Sequence, residues 1–460
     1  MMHRPLNIQF VALTVAIGGF LLGFDSNVIS GVSPFIRDYF SLNGTSGDLQ
    51  LGWAVSSLGA GAMAGNAIAG ALSDRFGRRG VLIFTALLFV CSSLLAALAT
   101  NFTSFVGARL VGGLAVGCAI LIAPVYIAEI SPAGRRGSLV SLNQLMIVIG
   151  ISAAFFSNYF LLNVGEHNWR WMLGVQTIPA TLYFILLLFV PESPRWLLLQ
   201  RRDDAALRVL AQVGGEGEAQ ACLQQIRESL AWKPASRGSQ GVAGRFAGLA
   251  ERRMRFIMLI ALGLAFFQQI TGINAVFYYL PTIFAQTGGG VNAAFRQAVL
   301  VGVVNLVMTF VAIWLIDRLG RKPLLIMGVA GMSLALLVNA WAFGQPQLNP
   351  LLVLIAIMVF VASFAISLGP VMWVLLSEIF PNERRAAAIS VAGFLNAFVS
   401  WGVTFIFPWE LSKLGPSGIF LVYGLFACAA LLFVLLFVPE TKGRTLEELE
   451  HTLVPEAKAT

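Results

Sequence analysis

Runs of about 20 apolar residues, the length that crosses a hydrocarbon core of about 30 Å, occupy most of this 460-residue chain. Membrane helices are the only elements for which such runs leave room. Charged residues make up 11% of the sequence, against roughly 25% in soluble domains, and an ordinary soluble fold is excluded. Counting the runs gives twelve spans, near residues 8–30, 51–73, 80–99, 103–127, 138–161, 170–190, 256–280, 293–316, 323–343, 350–376, 386–408 and 417–438.

An even number of spans puts both termini on one side, and the distribution of Lys and Arg decides which. The termini and even-numbered loops carry 25 of the 30 basic residues, whereas Arg37, Arg170, Arg296 and Lys413 lie opposite. Both ends are therefore expected in the cytoplasm. The net charge of +8 reads as topology and not as nucleic-acid binding, because the bases sit in short clusters without a contiguous basic patch. Cys91, Cys118, Cys222 and Cys428 lie far apart, without metal-ligand spacing, and read as packing residues. The stretch after Arg4 has no small-residue cleavage site and runs past Asp25, so it reads as an uncleaved first span.

The longest gap, 191–255, reads as short amphipathic helices. Asp203 is expected to cap one across Ala205–Val213, a second runs from Glu218 to Trp232, and Lys233–Gly244 is rich in Gly and Ser, a flexible composition. The expected organisation is a six-helix bundle over 1–190, a cytoplasmic helical linker over 191–255, a second six-helix bundle over 256–438 and a tail over 439–460.

The halves repeat. Asp74-Arg75-Phe76-Gly77-Arg78-Arg79 recurs 243 residues later as Asp317-Arg318-Leu319-Gly320-Arg321-Lys322. The segment from Glu129-Ile130-Ser131-Pro132 to Arg135-Arg136 recurs 249 residues later from Glu378-Ile379-Phe380-Pro381 to Arg384-Arg385. Pro191-Glu192-Ser193 closes the first half as Pro439-Glu440-Thr441 closes the second. Parallel six-span repeats are the architecture of a transporter that rocks one half against the other around a site near the midplane.

Together with Pro194-Arg195 after the first closing motif and Lys442-Gly443 after the second, these motifs resemble the sugar porter branch of the major facilitator superfamily. The resemblance covers Phe20 to Leu449 and implies an all-α integral membrane fold, the major facilitator fold, of twelve transmembrane helices. It also implies that Asp74, Arg75, Arg78, Glu129, Arg135, Glu192, Arg195, Asp317, Arg318, Arg321, Glu378, Arg384 and Glu440 form a cytoplasmic gating network. The expectation is that these bases and acids pair across the two halves when the cytoplasmic side is closed; simple positive-inside anchoring is the plainer reading.

Two charges sit well inside predicted spans, Asp25 on span 1 and Arg109 on span 4. An isolated charge there costs at least about 2.5 to 3.5 kcal/mol, so each needs a partner. A static pair satisfies that need. The alternative is a proton-coupling element, in which Asp25 takes a proton when the pair parts and releases it when the pair reforms. Gly23-Phe24-Asp25 and Arg109-Leu110-Val111-Gly112-Gly113 are similar to the pair found in proton symporters of the family, whose facilitators commonly carry a neutral residue at the Asp position.

A sugar offers hydroxyls that donate and accept, which suits neutral amides and an aromatic face. Span 7 carries Gln268, Gln269 and Asn274, each costly in lipid if unpaired; interhelical hydrogen bonding is the plain alternative. The resemblance adds Gln144, Asn305, Trp373 and Asn396 to a monosaccharide site. Tyr278 and Tyr279 look like the family's outer gate, although a Tyr pair at a membrane interface also serves as an anchor. Ile151, two turns after Gln144, stands where the family's xylose symporters have Gln and its glucose transporters an apolar residue, which favours a hexose.

The expected function is import of a monosaccharide coupled to protons, by a monomer in the cell inner membrane, with a proton-independent facilitator as the alternative. No cofactor or metal is expected. A membrane enzyme is disfavoured because His3, His167 and His451 all fall outside the spans and no catalytic constellation appears. A non-transporting sensor is disfavoured by the short tail, and a drug antiporter by a site rich in amides.

Overall fold

The computed structural model describes residues 7–231, 249, 251, 254–381 and 384–443. The Lys233–Gly244 stretch, the tail beyond Gly443, His3 and His451 lie outside these, and so does the side chain of Asp317. No strand occurs among the described residues.

Ten of the described helices are long and apolar enough to cross a membrane. They account for eleven of twelve spans, and span 6 is built from two shorter helices. Arg385–Phe437 is spans 11 and 12 run together, with non-helical backbone at Gly415 (φ 66°) just before Pro416. Span 6 is divided into Asn168–Gly174 and Thr177–Leu187, each too short to cross alone. Span 7 is likewise divided into Arg255–Ile270 and Ile273–Tyr278, and span 10 into Pro350–Ile366 and Leu368–Ile379. The chain is thus an all-α membrane protein of twelve spans in two six-span bundles. By packing, the described chain falls into one compact unit within 1–36 and 53–238 and another within 37–52 and 239–460.

Small residues set the helix spacing in the first unit. A Cβ at Gly23 on span 1 would fall 2.0 Å from the Ile147 carbonyl oxygen on span 5, and one at Gly150 would fall 2.1 Å from that of Phe20. Spans 2 and 4 meet in the same way, through Gly61 against Leu110 and Gly113 against Leu58. In lipid, where apolar contact alone does not drive association, such close backbone approach supplies the packing.

The linker helices Pro194–Leu199, Asp203–Gly214 and Glu216–Ala231 are amphipathic. Their apolar residues Leu197, Leu198, Ala206, Val209, Leu210 and Leu223 are buried in the same core as Val81, Phe89 and Tyr126 of the first unit. Asp203 does not cap its helix: Arg202 is the flanking residue, without a side-chain cap. The Asp203 carboxylate instead accepts from Arg227 at 2.7 Å, tying two linker helices together.

The repeated motifs are helix-capping devices. Span 3 begins at Arg78 and span 9 at Arg321, and both follow a glycine at positive φ, Gly77 (85°) and Gly320 (95°), that supplies no capping side chain. The first N–H groups of a helix need acceptors. Glu192 Oε1 accepts from the backbone N–H of Arg78, Arg79 and Ser193 at 3.0, 3.1 and 2.8 Å. Glu440 does the same for Arg321, Thr441 and Lys442 through Oε1 and for Lys322 through Oε2, at 2.8–3.1 Å. A Cβ at Gly77 would lie 2.2 Å from Glu192 Oε2, so glycine is needed for space as well as for its φ.

Around each cap the ion pairs also repeat. Arg78 grips Glu129 in a fork, Nε to Oε2 at 3.0 Å and Nη2 to Oε1 at 3.1 Å, and reaches Asp74 at 3.3 Å. Arg321 Nη2 meets Glu378 at 2.8 Å. Ser193 donates to Glu129 and Thr441 to Glu378, both at 2.5 Å. Arg384 pairs with Glu251 at 2.9 Å. The described bonds of Glu129, Glu192, Glu378 and Glu440 run within their own half. Arg75 lies over the Phe76 ring and Arg318 over Trp314, while Arg135 and Arg195 are exposed.

Replacing Glu192 by Ala leaves three N–H groups without their acceptor, and the expected cost is about 1 to 3 kcal/mol, read as a fall in unfolding temperature in detergent. An unchanged midpoint would refute the capping role. Burial pushes the Glu440 carboxyl up, but the four backbone N–H donors outweigh it and hold it below its ordinary value of 4.5. A carboxyl with lowered folded-state proton affinity stabilises fully above that ordinary value and loses the effect as pH falls through the lowered one. Acid melting curves of Glu440→Gln are therefore expected to be less pH-dependent below about 4.5 than those of the parent chain.

Candidate functional site

In the first half, the two intramembrane charges meet. Asp25 is 2% and Arg109 1% exposed; Arg109 Nη1 donates to Asp25 Oδ1 at 2.5 Å and Nη2 to the Asp25 backbone carbonyl at 3.2 Å. The Arg-x-x-Gly-Gly motif builds this geometry. A Cβ at Gly112 would lie 2.4 Å from Ser92 Oγ and 2.9 Å from Asp25 Oδ2, so glycine admits spans 1 and 3 to the same spot while Gly113 admits span 2. The pair is not saturated: Asp25 Oδ2 and Arg109 Nε have no hydrogen-bond partner among the described residues.

The second half carries the amides, at helix breaks. Gly272 (φ 85°) interrupts span 7, and a Cβ there would collide with the Tyr423 ring at 2.3 Å. Span 10 breaks at Ser367, just before Gly369-Pro370, where the composition predicts a bend. Gln268 Nε2 donates to the carbonyls of Leu368 and Gly369 at 2.7 and 3.4 Å. Asn396 donates to Gln268 Oε1 at 2.7 Å and to the Ala265 carbonyl at 3.0 Å. Gln269 donates to Asn396 Oδ1 at 3.2 Å, and Asn274 to Gln269 Oε1 at 2.9 Å. The chain of amides ends on a hydroxyl, where Asn274 donates to Ser400 Oγ at 2.7 Å.

Hydrogen bonds thus bring together four of the predicted amides: Gln268, Gln269, Asn274 and Asn396. Trp373, 43% exposed, borders the same face of span 11, its ring 3.7 Å from where a Gly393 Cβ would be. Asn305 is buried on span 8. Gln144 and Ile151 belong to span 5 of the first half, where Gln144 is exposed and Ile151 half-buried. Tyr278 is half-buried; Tyr279 is packed inward, 1% exposed and stacked on Phe407 with centroids 4.8 Å apart.

Ser400 and Ser92 are additions to the predicted set. Ser400 follows Asn396 by one helical turn, the one signal by which it was visible. Ser92 is a small hydroxyl in an apolar run, and nothing in its local pattern distinguishes it.

Comparison with known proteins shows the family. The model of the family described as "Sugar (and other) transporter" matches residues 11–453. The chain is 36% identical to the arabinose-proton symporter of Bacillus subtilis, over 97% of this chain and 95% of that one. It is also 36% identical to the glucose transporter GlcP of Staphylococcus epidermidis, over 97% of each. Among solved structures it resembles the xylose transporter XylE from E. coli in an inward-open conformation, at 35% identity and a TM-score of 0.84, covering 97% of this chain and 100% of that one. This protein belongs to the sugar transporter family of membrane proteins and is a transporter, not an enzyme.

Proposed function

We propose that this protein imports a monosaccharide, a hexose such as glucose, together with protons by alternating access. It works as a monomer in the inner membrane, with both termini in the cytoplasm. The observation that carries this reading is the Asp25–Arg109 pair, buried and yet leaving one carboxylate oxygen without a partner. A fully bonded pair would be a fixed strut. Here movement of span 1 against span 4 leaves a carboxylate that is too costly in hydrocarbon to stay charged, and it takes a proton; re-formation of the pair expels it. Proton symport by the arabinose relative supports this assignment.

The amide chain is the sugar site. Its members bond to one another, so a sugar hydroxyl that replaces Asn274 on Gln269, or Gln268 on Asn396, exchanges one hydrogen bond for another at small net cost. Trp373 offers an indole face to the apolar side of a pyranose, and Gln144 and Asn305 complete the polar contacts. The relatives include pentose and glucose carriers; apolar Ile151 favours the hexose. Tyr278 and Tyr279 act at the outer gate. The clusters around Arg78 and Arg321 brace each half as a rigid body that can rock.

In proteoliposomes, an imposed inward proton gradient is expected to drive glucose above equilibrium, and Asp25→Asn to abolish that accumulation while sparing exchange. Uptake that only equilibrates, indifferent to gradient and to Asp25, would make the protein a facilitator. Gln269→Ala removes an amide from the centre of the chain, and its KM for the sugar is expected to rise about tenfold or more, the equivalent of about 1.4 kcal/mol, with the folded yield retained. An unchanged KM would place the sugar elsewhere.

A further inference from the structure

Ser57, Thr85 and Ser333 donate a turn back to carbonyls of their own helices. Ser92, on span 3 and 2% exposed, instead donates across to the Ala108 carbonyl on span 4 at 2.9 Å. Its one proton is thereby engaged, and the oxygen has only lone pairs left to offer. That oxygen sits beside the buried ion pair. A Cβ at Gly112 would lie 2.4 Å from Ser92 Oγ and 2.9 Å from Asp25 Oδ2, so oxygens from spans 3 and 1 converge on one point. No hydrogen bond joins them.

Arg109 Nη1 occupies Oδ1 of Asp25, which leaves Oδ2 as the open carboxylate oxygen. An ionised carboxylate only accepts, and so does a hydroxyl oxygen whose proton is engaged, so in the charged state the two groups have no bond to make. A proton on Oδ2 changes this, because the acid O–H is a donor and Ser92 Oγ its ready acceptor. Arg109 is the one other charge within spans 1 to 5, and the titratable Cys118 and Tyr126 of span 4 donate elsewhere, to the Gly65 and Pro191 carbonyls. We propose that Ser92 is a positioning residue of the coupling element, the acceptor that receives the proton-bearing oxygen of Asp25. A proton from water adds to Oδ2, the O–H turns onto Ser92 Oγ, and the neutral acid holds Arg109 less strongly, so that span 1 can part from span 4. On release the proton returns to water and the carboxylate closes on Arg109 again. The proposal rests on Asp25 as the proton carrier.

The test is infrared difference spectroscopy of the full-length protein during acid titration, which reads the C=O stretch of a carboxylic acid; Asp25→Asn identifies the Asp25 band by its loss. In Ser92→Ala that band is expected at higher wavenumber, as for an acid that has lost its acceptor. It is also expected to appear about one pH unit lower than in the parent chain, the equivalent of one hydrogen bond. Ser92→Thr, which keeps the hydroxyl, is expected to retain both parent values. A serine that only fills space would move neither. A band with the parent position and midpoint in Ser92→Ala would overturn the proposal and leave Asp25 standing as the carrier, whereas a parent chain without an Asp25 band would overturn both.

Discussion

Arg109 and Asp25 are each almost fully withdrawn from the surface, and in hydrocarbon neither charge is tolerable without the other. Their pairing imposes conditions on the helices that carry them. Span 1 must approach span 4 closely enough for a 2.5 Å contact, and span 3 must bring Ser92 to the same spot; a side chain at Gly112 would block both. Span 1 is also held against span 5 by Gly23 and Gly150, where no side chain fits. Gly112 is thus a geometric consequence of placing one ion pair in the middle of a bundle, and Gly23 and Gly150 seat the span that carries its acid.

The second half solves a milder form of the same problem. Gln268, Gln269, Asn274 and Asn396 are neutral amides, and each finds a partner in another amide, with Gln268 also reaching backbone carbonyls at a helix break. The break at Gly272 separates Gln268 and Gln269 from Asn274, so that Asn274 can turn back to Gln269. The turn at Ser367 leaves the Leu368 and Gly369 carbonyls positioned to accept from Gln268. Irregular backbone at membrane depth is tolerable only where such groups meet it.

The spans, the duplication and the buried ion pair were legible in the sequence because each rests on a large penalty. Charges and amides in apolar runs have few ways to be satisfied, so a partner for Asp25 and Arg109 and for Gln268, Gln269 and Asn274 was expected from cost, whereas Asn396 was added only by the family resemblance. The partners of the charges in the repeated motifs were not legible. Exposed and half-exposed pairs differ by less than about 1 kcal/mol, and composition cannot distinguish an acid that reaches across the halves from one that caps the next helix of its own half. Glu192 and Glu440 do the latter because Gly77 and Gly320 leave a helix end uncapped, a need visible only once those glycines are seen to start helices. Asp203 was misread for a related reason: an acid at a helix start serves as a cap or as an ion-pair partner with nearly equal ease, and Arg227 is 24 residues away in sequence.

The repeat is faithful at the span ends that carry the charged motifs and has diverged in the middles of the spans. Arg78, Glu129, Glu192 and Ser193 play the same parts as Arg321, Glu378, Glu440 and Thr441, although Arg78 forks onto Glu129 where Arg321 makes one bond to Glu378, because both copies face the same task of starting a helix on a bare glycine at the membrane surface. Between those ends, one copy holds an ion pair and the other a chain of amides. Mid-membrane chemistry is constrained only by the requirement that polar groups be satisfied, which charge pairing and amide pairing meet equally well. Duplication of one frame thus leaves each half free to acquire a different ligand. In a symporter built this way, proton and sugar need no shared residue, because the movement of the two frames is the element their binding energies both bias.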